Sequence, residues 1–376
     1  MVQRHSRREF LKITGVAAGG LALAACSTGS SSPAASAAGS APAGSAPAGG
    51  SINFLTWSDH FGEAELAAVK EQTGISVNVS ELADNIDGFN KLSQVKGQLD
   101  LVSGDALWVP KYYDAGLVEA VDINSFEVAK QLYPMARTFD FWTKPDGYLA
   151  YPWGWSPIQV VYNPKHVSPA PDSWEVMIDP KYAGKIVMEN QPTDIMLFAG
   201  IATGAKDIYN MTDAELKTAQ DWLRKLKPNV YKLVQQNNET VSALASEEAW
   251  IGTQNLGAPD RVKDAGGPEV VAMIPKEGTT GFIDGEMTVK EGANKALVKP
   301  YLEAAAQAEW VAQNFLDNGR PLLNEKAYKL LVDGGNKDKA DRYLYNQPEL
   351  ALKMRLKGPA GNTDAYVSAF NEVFGG

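Results

Sequence analysis

The sequence predicts an α/β protein of two lobes that follows an export signal and a polar tether. From Ser51 onward, short apolar runs alternate with longer segments of helical periodicity, which is typical of α/β folds. This body has about 325 residues, and a single hydrophobic core stops growing near that size. We therefore expect the body to divide between two lobes.

The N-terminus carries the pattern of an export signal. A basic start precedes the apolar run Ile13–Ala25. A membrane-spanning helix needs about 20 apolar residues, so this shorter run predicts a cleaved signal. Ser6–Lys12 (SRREFLK) resembles a twin-arginine export motif, and Leu23–Cys26 (LAAC) resembles the lipobox of bacterial lipoproteins. The second resemblance implies cleavage before Cys26 and attachment of lipid to it.

Cys26 is the only cysteine, so the folded body has neither a disulfide nor a thiolate metal site. Residues 1–25 carry four Lys or Arg and one Glu, so the formal net charge of −10 becomes about −13 without them. Such an acidic body is unsuited to nucleic acid, and anionic lipid head groups repel it. We expect a lipid anchor to hold the protein at the outer face of the cytoplasmic membrane.

Residues 27–50 form a low-complexity segment between the signal (1–26) and the body. They contain only Ser, Thr, Gly, Ala and Pro, and AGSAP occurs twice in succession. Such a composition cannot bury enough apolar surface to order itself. The segment is therefore predicted to be a disordered tether.

The body shows clear signals for individual elements. Strands are expected at Ile52–Leu55, Ile75–Val79, Leu99–Val102 and, fully buried, Val270–Ile274. Helices are expected at Glu65–Thr73, Lys111–Asp114, Thr240–Ala249 and Tyr301–Phe315. Thr212 and Glu215 form a capping box that begins a further helix, and Pro228 ends it.

Several segments, in one order, resemble the spermidine/putrescine type of extracellular solute-binding protein. They are Trp57-Ser58-Asp59, Asp100–Val102 with Trp108, Tyr151–Gly154, Ser173-Trp174 with Asp179–Ile186, and Ile274–Gly278 with Asp284. The resemblance extends from about Ile52 to the C-terminus, and the SW…DPKYAGKI stretch is its most specific part.

The resemblance implies a type II periplasmic-binding-protein fold with the ligand in a cleft between lobes. Residues 51–156 and 284–320 would form the first lobe, and residues 157–283 and 321–376 the second. Such a protein closes around its solute and delivers it, as a monomer, to the membrane subunits of an ABC permease.

Recognition of an amine needs carboxylates for the ammonium and aromatic walls for the methylenes. Trp57 and Asp59 follow the first strand, where ligands of open α/β sheets bind. Trp108 and Trp155 are further candidates for the wall, although core packing is the usual role of tryptophan. The resemblance also implies that Phe282 forms a wall and that Asp284 binds an amine, the alternative being a turn aspartate.

Other positions depart from the polyamine pattern. The aligned candidates that differ in residue type or position are His60, Asp105, Gln191, Asp194, Gln254 with its neighbour Asn255, and Arg320. A cleft arginine favours a carboxylate or phosphonate on the ligand, whereas Arg320 could equally be a surface residue.

Three functions remain open from the sequence. The first is capture of an amine-bearing, polyamine-like solute, and the second is capture of a zwitterion or organic acid such as an amino acid, opine or phosphonate. The third, an exported hydrolase, is disfavoured because only His60 and His166 remain after cleavage, and neither Gly-x-Ser-x-Gly nor His-Glu-x-x-His occurs. The Tyr112-Tyr113 pair lacks the partners of an iron site. We expect no enzymatic activity, metal or cofactor.

Overall fold

The computed structural model describes residues 49–95 and 97–375. The expectations for the signal, for Cys26 and for residues 27–48 of the tether concern positions outside these ranges, whereas Gly50 already belongs to the first strand. No helix within these ranges has the length and apolarity to cross a membrane.

The described ranges contain thirteen strands and twelve α-helices, joined by short 3₁₀ turns. The strands are β1 (Gly50–Thr56), β2 (Ile75–Glu81), β3 (Leu101–Asp105), β4 (Thr143–Lys144), β5 (Gly147–Tyr148), β6 (Tyr151–Pro157), β7 (Gln159–Tyr162), β8 (Ile186–Glu189), β9 (Val230–Val234), β10 (Ile251–Gln254), β11 (Val271–Met273), β12 (Thr280–Thr288) and β13 (Arg355–Leu356). The helices are α1 (Glu63–Thr73), α2 (Asn85–Gln94), α3 (Val109–Asp114), α4 (Pro192–Ala202), α5 (Asp213–Leu226), α6 (Asn237–Ala245), α7 (Ala258–Asp264), α8 (Val298–Ala305), α9 (Ala308–Asn318), α10 (Glu325–Asp333), α11 (Lys337–Arg342) and α12 (Thr363–Phe374).

Two mixed sheets organise the body, and β4 and β5 form a separate hairpin. The first sheet has the order β13-β12-β3-β1-β2, and β6 also pairs with β12. In it β1 runs parallel to β2 and β3, whereas β12 is antiparallel to β3. The second sheet has the order β11-β7-β10-β8-β9, in which β8 is parallel to β9 and β10. Each sheet has its own buried apolar core, so the body has the two-lobed α/β architecture that the sequence predicts.

Three segments cross between the sheets, and the last one lies later than expected. The first crossing joins β6 to β7 at Ile158, and the second joins β11 to β12. The prediction that 321–376 belongs to the second lobe is wrong for most of that range. Leu331, Ala340 and Tyr345 pack in the first core because α10 and α11 follow α9 directly. The third crossing lies between β13 and α12, and only α12, through residues such as Phe370, joins the second core.

Most of the expected elements are present with small shifts. The predicted strands at 52–55 and 75–79 and the helix at 65–73 are confirmed, and α1 ends at Gly74 in the left-handed conformation (φ 74°). The capping box of α5 is also confirmed, since Thr212 accepts from the Glu215 amide while the Glu215 side chain accepts from the Thr212 amide. The third strand begins two residues later than predicted.

Two expectations on secondary structure are wrong. The single helix predicted over 301–315 is divided into α8 and α9, because Gln307 is extended and the Ala308 amide donates to the side chain of Gln131. The strand expected to be buried over 270–274 is an edge strand, and Ile274 is 50% exposed. Edge strands pair on one side only, which explains the exposure.

Candidate functional site

A cleft opens between the sheets at the carboxyl ends of the parallel strands β1, β3, β8 and β10. Ligands of open α/β sheets bind at this end. The cavity encloses ≈ 60 Å³, which is room for roughly five water molecules. Its lining is mostly polar and comprises Trp57, Ser58, Asp59, Ala83, Asn85, Asp105, Ile158, Glu189, Gln191, Gln235, Gln236, Asn237, Asn255, Phe282, Asp284, Arg320 and Lys357.

Arg320 brings a buried guanidinium to the cleft. Gly319 ends α9 in the left-handed conformation (φ 69°), and the chain then turns so that Arg320 is only 1% exposed. Its Nη1 donates a 2.6 Å hydrogen bond to Oδ2 of Asp284, and its Nη2 lies 3.6 Å from Oδ2 of Asp59. Within the described residues, Nε and Nη2 have no hydrogen-bond partner. The guanidinium therefore has donors for a further acceptor.

His60 lies directly behind Asp284. Its Nε2 is 3.0 Å from Oδ2 of Asp284, and its Nδ1 is 2.8 Å from Oε1 of Glu286. Ser103 donates to the other oxygen of Glu286 at 2.7 Å. Burial would lower the pKa of His60, but these two carboxylates outweigh it and raise the pKa to about 9. The ring is therefore an imidazolium at neutral pH.

Asp59 completes this ionic group. Burial would raise its pKa, but the positive charges of Arg320, His60 and Arg261 hold the pKa of Asp59 below its usual range. Asp59 is thus a carboxylate at neutral pH, as a neighbour of several cations should be.

Asp105 is a buried carboxyl of a different kind. It lies directly opposite Asp284 in the antiparallel pairing of β3 with β12. Its Oδ2 accepts from Asn85 Nδ2 at 2.9 Å, and no Lys, Arg or His nitrogen within the described residues forms an ion pair with it. Burial and the nearby charge of Asp284 raise the pKa of Asp105 well above its usual range. Asp105 is therefore a carboxyl that lacks a cation.

Lys357 brings a second cation, from the third crossing. Its Nζ lies 2.7 Å from Oδ2 of Asp194 and donates to Oε1 of Gln191 at 3.1 Å. Burial would lower the pKa of Lys357, but Asp194, Asp105 and Glu189 raise it instead, so the side chain stays charged. Gln191 Nε2 in turn donates to Glu189 at 2.8 Å, and burial raises the pKa of Glu189.

Arg261 holds three amide side chains at one side of the cleft. Its Nη1 donates to Oδ1 of Asn237 at 3.0 Å, and its Nη2 donates to Oε1 of Gln254 at 2.8 Å and to Oδ1 of Asn255. Burial lowers the pKa of Arg261 to about 10, so it remains a cation. The guanidinium fixes three amide side chains in orientation.

The structure brings most of the candidates from the sequence to one place. Those that line the cleft are Trp57, Asp59, Asp105, Gln191, Asn255, Phe282, Asp284 and Arg320. Asp194, Gln254 and His60 lie behind this lining and hold it through hydrogen bonds. The alternative of a surface position for Arg320 is wrong because the residue is buried.

Two tryptophan candidates lie elsewhere. Trp155 is 1% exposed and packs within the first core, so its assignment to the cleft wall is wrong. The strand β6 alternates its side chains between faces, and this residue points to the core side. Trp108 borders a small neighbouring pocket with Asp194 and does not line the main cavity.

Sequence reasoning missed several lining residues, among them Asn85, Glu189, Gln235, Gln236, Asn237 and Lys357. Glu189 is the last residue of β8 and Gln235 follows β9, so the signal that identified Trp57, a position at a strand end, could have found both. Lys357 had no such signal, because β13 before it has two residues only. No group of His, Cys, Asp and Glu within the described ranges could hold a metal ion.

The model of the family described as bacterial extracellular solute-binding protein matches residues 65–330. This chain belongs to that family. Members are solute-binding proteins of ABC transporters rather than enzymes; they bind small solutes outside the cytoplasm and work with permease components. The chain is therefore an extracytoplasmic solute-binding protein, and the cleft is its candidate solute site.

Relatives of this solute-binding protein agree with the assignment. The putrescine-binding periplasmic protein PotF of Escherichia coli K12 is 25% identical over 280 residues, which are 70% of this chain and 75% of that protein. The TpPotD lipoprotein of Treponema pallidum superposes with a TM-score of 0.69 at 18% identity, covering 86% of this chain and 99% of the other. AfuA of Actinobacillus pleuropneumoniae, solved with fructose-6-phosphate bound, gives a TM-score of 0.62 at 18% identity, covering 85% and 96%. The fold is thus that of the periplasmic binding proteins.

Proposed function

We propose that this protein captures a compact solute carrying both an ammonium and an anionic group, and delivers it to an ABC permease. One observation carries the proposal. Among the residues that the structure describes, the cleft contains a buried guanidinium with unpartnered donors, on Arg320, together with two carboxyls that form no ion pair, on Asp105 and Glu189. Such a site is complementary to charges of both signs.

The anionic group of the solute would bind Arg320. A guanidinium presents a planar fork that matches a carboxylate or phosphonate, and a hydrogen bond between charged groups is about twice as strong as a neutral one. Phe282 lies beside this position, with its ring centroid 5.6 Å from Cζ of Arg320 and 5.8 Å from Nζ of Lys357. Phe282 is therefore within cation–π range of both side chains.

The ammonium would bind Asp105, beneath the ring of Trp57 or Phe282. A buried carboxyl whose pKa is raised by burial and by a second carboxylate is stabilised when a cation arrives. The side-chain carbonyl of Asn85 or Asn255 could accept a further N–H of the same ammonium. The small volume of the cavity favours a solute of few atoms.

A plain polyamine is the second candidate. It is favoured by the 25% identity to PotF and to the spermidine/putrescine-binding periplasmic protein 1 of Haemophilus influenzae. Against it, the two carboxylates that align with the amine-binding positions are already paired with cations, and a polyamine offers no acceptor for the free donors of Arg320. Asp284 is paired with Arg320, and Asp194 is paired with Lys357. The bound fructose-6-phosphate of AfuA indicates that this fold is not restricted to amines.

A thermal-shift screen tests the proposal. Diamines, amino acids with aminophosphonates, and simple organic acids form its three panels. A ligand at 100 times its dissociation constant stabilises a protein by about 2.7 kcal/mol, which is readily seen as a rise in melting temperature. We expect the largest rises in the second panel. Rises confined to the diamines would favour the polyamine candidate instead.

We also propose that the protein is a twin-arginine-exported, monomeric lipoprotein of the outer face of the cytoplasmic membrane. The motifs at 6–12 and 23–26 support this, because two independent signals occur in the correct order. The acidic body needs such an anchor, since anionic lipids would repel it.

A further inference from the structure

We infer that His60 is a positioning residue that commits Asp284 to Arg320 and thereby withholds it from the ammonium of the solute. This inference rests on the proposed function for its effect on the solute, whereas the contacts that support it lie within the protein. The observation behind it is the pair of contacts that His60 makes, to Asp284 on one ring nitrogen and to Glu286 on the other.

The two acidic partners are fixed by strand geometry. Asp284 and Glu286 are two residues apart on β12, so their side chains lie on the same face of the sheet. His60 spans both, 3% exposed, and packs against the ring of Trp57 with centroids 5.3 Å apart. A ring nitrogen that contacts a carboxylate donates to it, so the two contacts together require protons on both nitrogens.

A single oxygen of Asp284 contacts the cationic side chains of both Arg320 and His60. Oδ2 lies 2.6 Å from Nη1 of Arg320 and 3.0 Å from Nε2 of His60. A carboxylate neutralised in this way offers little attraction to a third cation, because the two positive groups repel that cation. Asp105, which faces Asp284 across the strand pair, is left as the acceptor for an ammonium.

The far side of His60 is also anchored. The Glu286 carboxylate accepts from Ser103, and Ser103 is 2.6 Å from the hydroxyl of Thr56. This chain of contacts crosses from β12 through β3 to β1 and is buried throughout. The imidazole cannot turn away from Asp284 without breaking it. His60 therefore sets the solute specificity of the cleft without a place in the cleft lining.

The first test is nuclear magnetic resonance of the ligand-free, unlipidated chain carrying Cys26→Ser, with ¹⁵N-labelled histidine. The chain has three histidines, and His60→Gln and His166→Gln assign the signals. We expect both ring nitrogens of His60 to carry protons at neutral pH and to keep them when the solvent is made mildly alkaline. A neutral His60 ring at neutral pH would overturn the inference.

The second test measures specificity with a matched pair of probes, 1,4-diaminobutane and 4-aminobutanoate. His60→Gln keeps a polar contact to Asp284 but removes the positive charge, so the ratio of affinities should shift toward the diamine by about tenfold, or 1.4 kcal/mol. His166→Gln should leave the ratio unchanged. The inference would be overturned if wild type and His60→Gln had the same affinity for the diamine, or if neither of them bound it. A charged His60 in a wild-type protein that prefers the diamine would instead contradict the proposed function.

Discussion

Oδ2 of Asp284 and Nη1 of Arg320 are 2.6 Å apart in a cleft where both side chains are buried. The pair joins β12 to the turn after α9, and it already satisfies the carboxylate that the sequence assigns to an ammonium. The prediction that Asp284 holds an ammonium of the solute, between Trp57 and Phe282, stays a prediction, and this pairing leads us to favour a different hypothesis. Arg320 attracts an anion, and a neighbouring carboxyl attracts the cation.

Replacement of Arg320 by glutamine should weaken binding of an anion-bearing solute. Loss of one partner of a buried charge pair typically costs about 2–5 kcal/mol, which is roughly 30-fold to several thousand-fold in affinity. Isothermal titration with the best solute of the screen measures it. Arg224→Gln, on the exposed side of α5, is the matched control and should bind like wild type. Unchanged affinity in Arg320→Gln would contradict the anion-binding role.

Binding of the ammonium by Asp105 should depend on pH. Burial and Asp284 raise the pKa of Asp105 in the free protein, whereas an ammonium bound beside it would hold Asp105 as a carboxylate. The free protein therefore binds more protons than the complex, so affinity should fall as pH is lowered through the raised pKa. The fall can reach tenfold per pH unit, and proton release should appear as a dependence of the titration heat on the buffer. Asp105→Asn should abolish both effects; their persistence would assign the proton to another group.

Lys357 should contribute to stability as well as to the cleft. It pairs with Asp194 at 2.7 Å, and both side chains are about nine-tenths buried. Lys357→Met leaves an uncompensated carboxylate, so we expect a loss of about 3–5 kcal/mol in the free energy of unfolding by urea. The double variant with Asp194→Asn should recover part of this loss. Lys181→Met, which breaks an exposed pair with Asp179, should cost far less. Equal losses in both lysine variants would contradict the buried pair.

The anchor has an independent test. Cys26→Ser should abolish labelling with a radioactive fatty acid and release the protein from membranes, because stable attachment needs the acyl chains. Replacement of Arg7 and Arg8 by lysine should impair export. Membrane attachment of the serine variant would contradict lipidation.

The sequence predicts the part of the site that follows strand ends. Trp57 and Asp59 were identifiable because the apolar run of β1 ends just before them, whereas Phe282 came from the family resemblance. Lys357 was not identifiable, because the segment that carries it follows α10 and α11. The resemblance assigns these helices to the second lobe, whereas they pack with the first core. Packing between elements that are distant in the chain decides which lobe a helix joins, and the periodicity of the sequence does not indicate that packing.

The role of His60 also lay beyond the sequence. His60 was a candidate for the ligand site, whereas its ring lies behind the lining with Glu286 as a partner 226 residues away. Contacts of such separation arise from strand pairing, which sets Glu286 opposite Ser103. The charges of a cleft can therefore be enumerated from residue types, but their pairing cannot.

The central claim is that the solute carries an ammonium and an anionic group, and truncated ligands test it most directly. Isothermal titration should compare the best solute of the screen with two analogues, one lacking the amine and one lacking the acid. We predict that each truncation costs at least about 2 kcal/mol, or roughly 30-fold in affinity, because each leaves a buried charge of the cleft without its partner. An analogue without the acid that binds as tightly as its parent, or a diamine that binds more tightly than either, would contradict the account.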